Sequence, residues 1–142
     1  MKNEFIPYQQ ALELKELGFD EPCMCFYNNR KELKVYHNAD KDWNTLEHQL
    51  LGNSKITLLN TYSAPTYSQA FRWFREKHNL GGEVHCIRFN SERLKGYQYA
   101  ITSENYRKFE QRGDYHTYEE AESACLNKLI EIVKQQTHAT TN

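Results

Sequence analysis

At 142 residues the chain is long enough for one domain with a real core and needs no covalent staples. Its 18 basic and 19 acidic residues nearly cancel, which excludes a global field that would draw it to nucleic acid or an acidic membrane. Aromatic residues make up 13% of the chain, with ten tyrosines, so the expected core is built largely of rings whose hydroxyls stay near water or a partner.

The first predicted element is a helix from Pro7 to Leu17. Tyr8, Ala11, Leu14 and Leu17 mark its apolar edge, Leu12 lies beside them, Glu13 and Glu16 face water, and Gly18 supplies a left-handed stop. Pro22 to Tyr27 and Leu33 to His37 read as two strands joined by the polar turn Asn28-Asn29-Arg30-Lys31, a hairpin. The stretch 38–63 is the least legible. Asp40, Lys41 and Asp42 suggest a loop, Trp43 to Leu51 a short helix, and Lys55 to Leu59 a strand.

A second helix is expected from Thr66 to Asn79, ended by Leu80-Gly81-Gly82 acting as a breaker. Strands follow at Val84 to Phe89 and Tyr97 to Thr102, Arg112-Gly113-Asp114 reads as a turn, and a third helix spans Tyr118 to Lys134. The order is α-ββ-(insert)-α-ββ-α. An antiparallel sheet packed against about three helices, an α+β fold, is the economical way to bury one face of each element. Residues 1–134 are read as a single domain with 38–63 as a variable insert, and the polar stretch 135–142 as a disordered tail.

The three helices begin alike: Tyr8-Gln9-Gln10-Ala11, Tyr67-Ser68-Gln69-Ala70 and Tyr118-Glu119-Glu120-Ala121. Thr117 with Glu120, and Thr66 with Gln69, have the spacing of a capping box, in which each side chain meets the other residue's backbone N–H. Pro7 takes the corresponding place in the first copy, where its missing N–H and fixed φ cost nothing. The repeat therefore reads as scaffold, with tyrosine and alanine on the buried edge of each helix.

Cysteines at 23, 25, 86 and 125, with no apolar leader after Met1-Lys2-Asn3-Glu4 and no run of membrane-spanning length, point to a cytoplasmic protein whose thiols are small buried hydrophobes. Cys23-Met24-Cys25 is spaced too closely for the usual paired zinc ligands and no second pair follows, so no metal is expected. No nucleophile elbow, Cys-x-x-Cys, His-Glu-x-x-His or phosphate loop occurs, and no catalytic residue or cofactor is assigned. An enzyme using Cys86 or Cys125 with a histidine ranks last, because both cysteines sit in apolar-patterned segments and His85 points away from Cys86 along a strand. Glu119 and Glu120 suit the positive end of the third helix and need no catalytic role.

The surface candidate lies on the second helix. Tyr67, Ala70, Phe71, Phe74 and His78 form the expected core stripe, leaving Trp73 roughly 120° from its centre at ~100° per residue. Trp73, with Arg72 and Arg75 toward one side and Lys77 on the other, is the candidate binding group: an aromatic beside cations suits a protein partner or a stacked base. The competing reading covers Trp73 with other parts of the chain and pairs Arg72 and Arg75 with acids.

Three blocks, Glu4-Phe5-Ile6-Pro7-Tyr8-Gln9-Gln10-Ala11-Leu12 through Cys23, Ala64 through Lys77, and Thr117 through Val133, together resemble a family of short, uncharacterised proteins from Bacteroidales genomes and their phages. The resemblance implies an accessory protein of a phage or mobile element acting in the host cytoplasm, and carries no catalytic or ligand-binding position with it. The functional expectation is a non-enzymatic binding protein with a protein partner and no membrane association. The second reading is a nucleic-acid or nucleotide binder, counter-defence factors included, in which Arg72, Arg75 and Lys77 meet phosphates.

Overall fold

The computed structural model describes residues 4–36, 42–44, 49–51, 54–56, 61–89, 93–103 and 110–140. The fold is α+β, in two compact units, 1–66 and 67–142. No helix among the described residues is long and apolar enough to cross a membrane.

The first unit contains α1 (Tyr8–Glu16), β1 (Cys25–Tyr27), β2 (Leu33–Val35), β3 (Gln49–Leu51), β4 (Ser54–Ile56) and β5 (Tyr62–Ser63). Helix α1 buries Ala11 and Leu14, as its sequence spacing predicts, together with Gln10. It stops where Gly18 adopts φ +85. Gly18 N–H then bonds to Lys15 O and Phe19 N–H to Leu14 O, the paired closure of a Schellman ending.

Strands β1 and β2 form the expected antiparallel hairpin, Cys25 opposite Val35 and Tyr27 opposite Leu33. Asn28 organises the turn: its Oδ1 accepts from the N–H groups of Arg30 and Glu32, each at 2.9 Å. Strand β5, which the sequence reading left out, pairs on the other side of β1 to give the order β2-β1-β5. Two residues with little apolar content carry no periodic signal, and their strand character comes from the neighbouring backbone.

Every residue of β1 is buried. On one side Tyr27 meets Tyr8 of α1, with ring centroids 5.5 Å apart. On the other, Trp43 stacks on Phe26 at 4.1 Å and meets Tyr36 edge-on at 5.3 Å. The polar groups around Trp43 are paired. Its Nε1 donates to Cys23 O at 2.8 Å, its backbone N–H to Ser63 Oγ at 3.0 Å, and its carbonyl accepts from Thr61 Oγ1 at 2.7 Å. Asn44 extends the web by donating to Phe19 O and accepting from Ser63 N–H.

The short helix expected over Trp43–Leu51 is not formed: Trp43 and Asn44 lie in a turn and Gln49–Leu51 is a strand paired with Ser54–Ile56. Residues 45–48 lie outside the described set, as do the loop positions Asp40 and Lys41, His37 at the end of the expected second strand, and 57–59 of the expected Lys55–Leu59 strand.

The second unit runs α2 (Tyr67–His78), β6 (Leu80–Phe89), β7 (Arg93–Ser103), β8 (Glu110–Tyr115), α3 (Tyr118–Thr140), with the strands antiparallel in the order β6-β7-β8. Helix α2 ends at His78 because Asn79 turns into the left-handed region at φ 55. Gly81 and Gly82, expected as the breaker, instead lie inside β6. Gly82 is there for close approach. A Cβ on it would sit 2.8 Å from Cys125 Sγ and 3.0 Å from Leu129 Cδ1 of α3, so the missing side chain lets that helix settle onto the sheet.

Two further boundaries differ from the sequence reading. Arg112-Gly113-Asp114 belongs to β8, where pairing of Arg112 with Tyr99 overrides the low strand preference of glycine and aspartate. Helix α3 continues past Lys134 to Thr140, through the stretch read as a disordered tail. No glycine or proline interrupts it, Gln135 Nε2 donates to Glu131 Oε1 at 2.9 Å, and Thr137 Oγ1 donates to Val133 O at 2.9 Å. Its start is the predicted capping box: Glu120 N–H donates to Thr117 Oγ1 at 3.1 Å, and Thr117 N–H to Glu120 Oε2 at 3.3 Å. Its buried face is Ala121, Cys125, Leu126, Leu129, Ile130 and Val133.

Two substitutions test these contacts. Ser63→Ala should cost about 1–3 kcal/mol in chemical denaturation, because it leaves the buried Trp43 N–H without an acceptor. Gly82→Val should cost about 1–3 kcal/mol by forcing α3 off the sheet; unchanged stability would refute the close-approach reading.

Candidate functional site

Helix α2 carries the four residues the sequence singles out, and the structure separates them. Trp73 is 2% exposed, on the buried face with Tyr67, Ala70 and Phe74. Phe71 and His78, expected in the core stripe, are half-buried. The apolar face is thus rotated toward Trp73 by roughly 50° at ~100° per residue. The sequence stripe was centred on the largest run of rings, Phe71, Phe74 and His78, whereas burial follows Ala70, which permits close packing.

Arg72, Arg75 and Lys77 are exposed. With Ser68, Arg72 and Arg75 line one flank at the four- and three-residue spacing of neighbours on a helix, while Lys77 emerges on the opposite side of the helix, near its C-terminal end. The structure therefore keeps Arg72 and Arg75 together and removes Trp73 as a surface group.

Trp73 has a chemical consequence inside. Its ring lies 4.7 Å from His78 and 5.1 Å from Phe74, both edge-on. His78 Nε2 is buried with no hydrogen-bond partner among the described residues. Burial among these rings holds the imidazole pKa below its ordinary value.

The cysteines divide. Cys23, Cys25 and Cys125 are buried as expected, but Cys86 is exposed. Burial pushes the Cys23 and Cys125 thiols up to about 12, with nearby carboxylates adding to the effect, so both stay protonated near neutrality and are poor nucleophiles. His85 and Cys86, adjacent on β6, point to opposite faces of the strand, and His85 Nε2 lies 3.4 Å from Glu83 Oε2. Among the described residues no group of three or more histidine, cysteine or carboxylate side chains is arranged to hold a metal ion.

The three motif tyrosines have diverged in use. Tyr67 is buried and bonded to Ser123 of α3, and burial raises its pKa. Tyr118 is 43% exposed and meets Tyr97 edge-on at 5.8 Å, so it does not take the buried edge expected of it. Ala11, Ala70 and Ala121 are all fully buried.

Tyr8 belongs to a cluster that sequence reasoning did not find. Its ring meets Tyr27 at 5.5 Å and Tyr62 at 5.4 Å, and burial, followed by the hydrogen bond between the Tyr62 and Tyr8 side chains, raises the Tyr62 pKa. Tyr27 is anchored by its hydroxyl, which donates to Ile6 O at 2.9 Å. Two lysines cover the outer rings: Lys31 Nζ lies 5.1 Å from the Tyr8 centroid and Lys15 Nζ 4.9 Å from that of Tyr62. Lys15 also donates to Thr61 O at 3.1 Å.

Lys31 stands at φ 61, a left-handed position after a turn that glycine or asparagine ordinarily fills, at a backbone cost of about 1 kcal/mol. The chain signals this only indirectly, as a hairpin turn with lysine where glycine is usual. Compared with family models, curated proteins and solved structures, the chain matches none.

Truncating Trp73 to alanine should cost about 3–5 kcal/mol in thermal or urea unfolding, as expected of a core ring. Arg72→Ala and Arg75→Ala should each stay within about 0.5 kcal/mol. Stability should also fall in acid. With the folded-state pKa of His78 depressed, the unfolded chain binds more protons, so the stabilisation present above the imidazole's ordinary 6.5 is lost as pH drops below it. His78→Phe should flatten the stability profile between about pH 7.5 and 5.5 relative to wild type.

Proposed function

We propose that the chain is a small, non-enzymatic binding protein that engages an acidic patch on a partner protein through the outer flank of α2. The observation that carries this reading is the exposed pair Arg72 and Arg75, set one turn apart with Ser68 on a helix anchored from beneath by Trp73 and Phe74. Guanidinium groups held on a rigid helix suit bidentate pairing with carboxylates, and such pairing loses little side-chain freedom.

A nucleic-acid or nucleotide ligand on this same flank is less well supported. Stacking needs an open ring face, and Trp73 offers none; the exposed Glu119 and Glu120 at the start of α3 add negative charge to the same unit. In our reading the partner belongs to the host cell cytoplasm or to the phage or mobile element itself, which follows the resemblance to short Bacteroidales and phage proteins.

Affinity capture with crosslinking from Bacteroidales cells, followed by mass spectrometry, tests the proposal with the full chain and two variants. Arg72→Glu combined with Arg75→Glu should lose the enriched partner at least roughly tenfold, as expected from reversing charges at a contact, while Lys77→Glu on the opposite flank retains it. Equal recovery by the double variant, with unchanged melting, would overturn the assignment of this flank.

A further inference from the structure

We infer that the Tyr8–Tyr62 cluster of the first unit is a binding site for a small phosphate-bearing ligand. It is independent of the α2 flank, and it rests on three observations.

The first is positive charge with no ion-paired carboxylate among the described residues. Lys15 and Lys31 cover two tyrosine rings whose centroids are 5.4 Å apart, and among the described residues neither ammonium has a carboxylate within ion-pair distance. The acid beside Lys31 is engaged elsewhere: the Glu32 carboxylate accepts from Asn28 Nδ2 at 3.0 Å and lies 2.9 Å from Lys34 Nζ, and the Lys34 bond holds its pKa below the usual range. Cations over two adjoining rings, with no ion-paired carboxylate among the described residues, favour an anion beside them.

The second is donor capacity. An ammonium has three donors, and Lys15 spends one on Thr61 O. The Tyr8 and Tyr62 hydroxyls share one bond between them, which leaves a hydrogen able to reach a ligand oxygen. Both rings are half-buried, so this donor set is reachable from water yet partly shielded from it, the setting in which charge-assisted bonds are strongest.

The third is the backbone at Lys31. Glycine would relax φ 61, at the loss of the ammonium that Lys31 holds over Tyr8. The turn is locked by Lys31 N–H on Asn28 O at 2.9 Å and Asn28 N–H on Glu32 O at 3.1 Å, which fixes where the ammonium is presented. The strained backbone at Lys31 thus holds its ammonium over Tyr8, in the same cluster as the two tyrosine hydroxyls.

Isothermal titration and tyrosine-ring NMR on the full chain, with inorganic phosphate as the probe and chloride matching ionic strength, decide the matter. Wild type should show saturable phosphate binding that weakens with salt. Lys31→Gly should bind roughly tenfold more weakly or worse, the loss expected for one charge-assisted contact, while its melting temperature stays equal or rises. Lys15→Gln should weaken binding similarly, and Lys128→Gln, on α3 of the second unit, should not. Adenosine monophosphate and phosphoserine arms distinguish a nucleotide from a phosphorylated amino acid as the source of the phosphate, and saturable binding of either keeps the site. Absence of saturable binding by wild type, or equal phosphate affinity in Lys31→Gly, overturns the proposal.

Discussion

The first unit depends on one indole being buried without leaving a polar group stranded. Trp43 brings a ring, an indole N–H and two backbone groups into a site walled by Phe26 and Tyr36. Cys23 O, Ser63 Oγ and Thr61 Oγ1 take up those three polar groups, the first from the segment before β1 and the other two from the segment at β5. The same bonds tie the segment before β1 to the segment before α2 and place β5 against β1. An apolar ring in that position would supply the packing and keep the two backbone bonds, but it would lose the tie from Nε1 to Cys23 O and leave that carbonyl without its indole donor.

The second unit solves a different problem, that of bringing a long helix onto a three-stranded sheet. Gly82 removes a side chain where Cys125 and Leu129 of α3 arrive, and Ala121 presents another small side chain on the same buried face. Helix α2 then fills its side with Trp73 and Phe74. His78 closes the end of that helix as a neutral ring among rings, which links the packing of α2 to proton concentration. The opposite flank of α2 carries Arg72 and Arg75, both exposed.

The tyrosines show how one local pattern is put to several uses. The alanine of each Tyr-x-[Gln/Glu]-Ala copy does the same job three times, because a methyl group at that phase admits close packing in every helix. The tyrosine, one turn earlier at the helix start, meets whatever the rest of the fold supplies there. For Tyr67 that is Ser123 of a neighbouring helix, for Tyr118 the ring of Tyr97 and water, and for Tyr8 two further rings and two lysines.

Local signals determined a good deal by themselves. The helix starts, the glycine stop at Gly18, the β1–β2 hairpin and the capping box of α3 are short-range physics, complete within a few residues, and all were legible in the chain. The α+β class followed from their order. What depended on partners far along the sequence was not legible. Strands β5 and β8 exist because another strand supplies their hydrogen bonds; Gly81-Gly82 has the composition of a stop but the use of a close contact; and the true face of α2 is set by where the neighbouring elements leave room for an indole. The candidate sites divide in the same way. Arg72 and Arg75 could be placed together from helical spacing alone, but the burial of Trp73, and the meeting of Tyr8, Lys15, Lys31 and Tyr62 from three separate segments, were decided by tertiary structure, because no spacing rule within one element reports which other segments will come to lie against it.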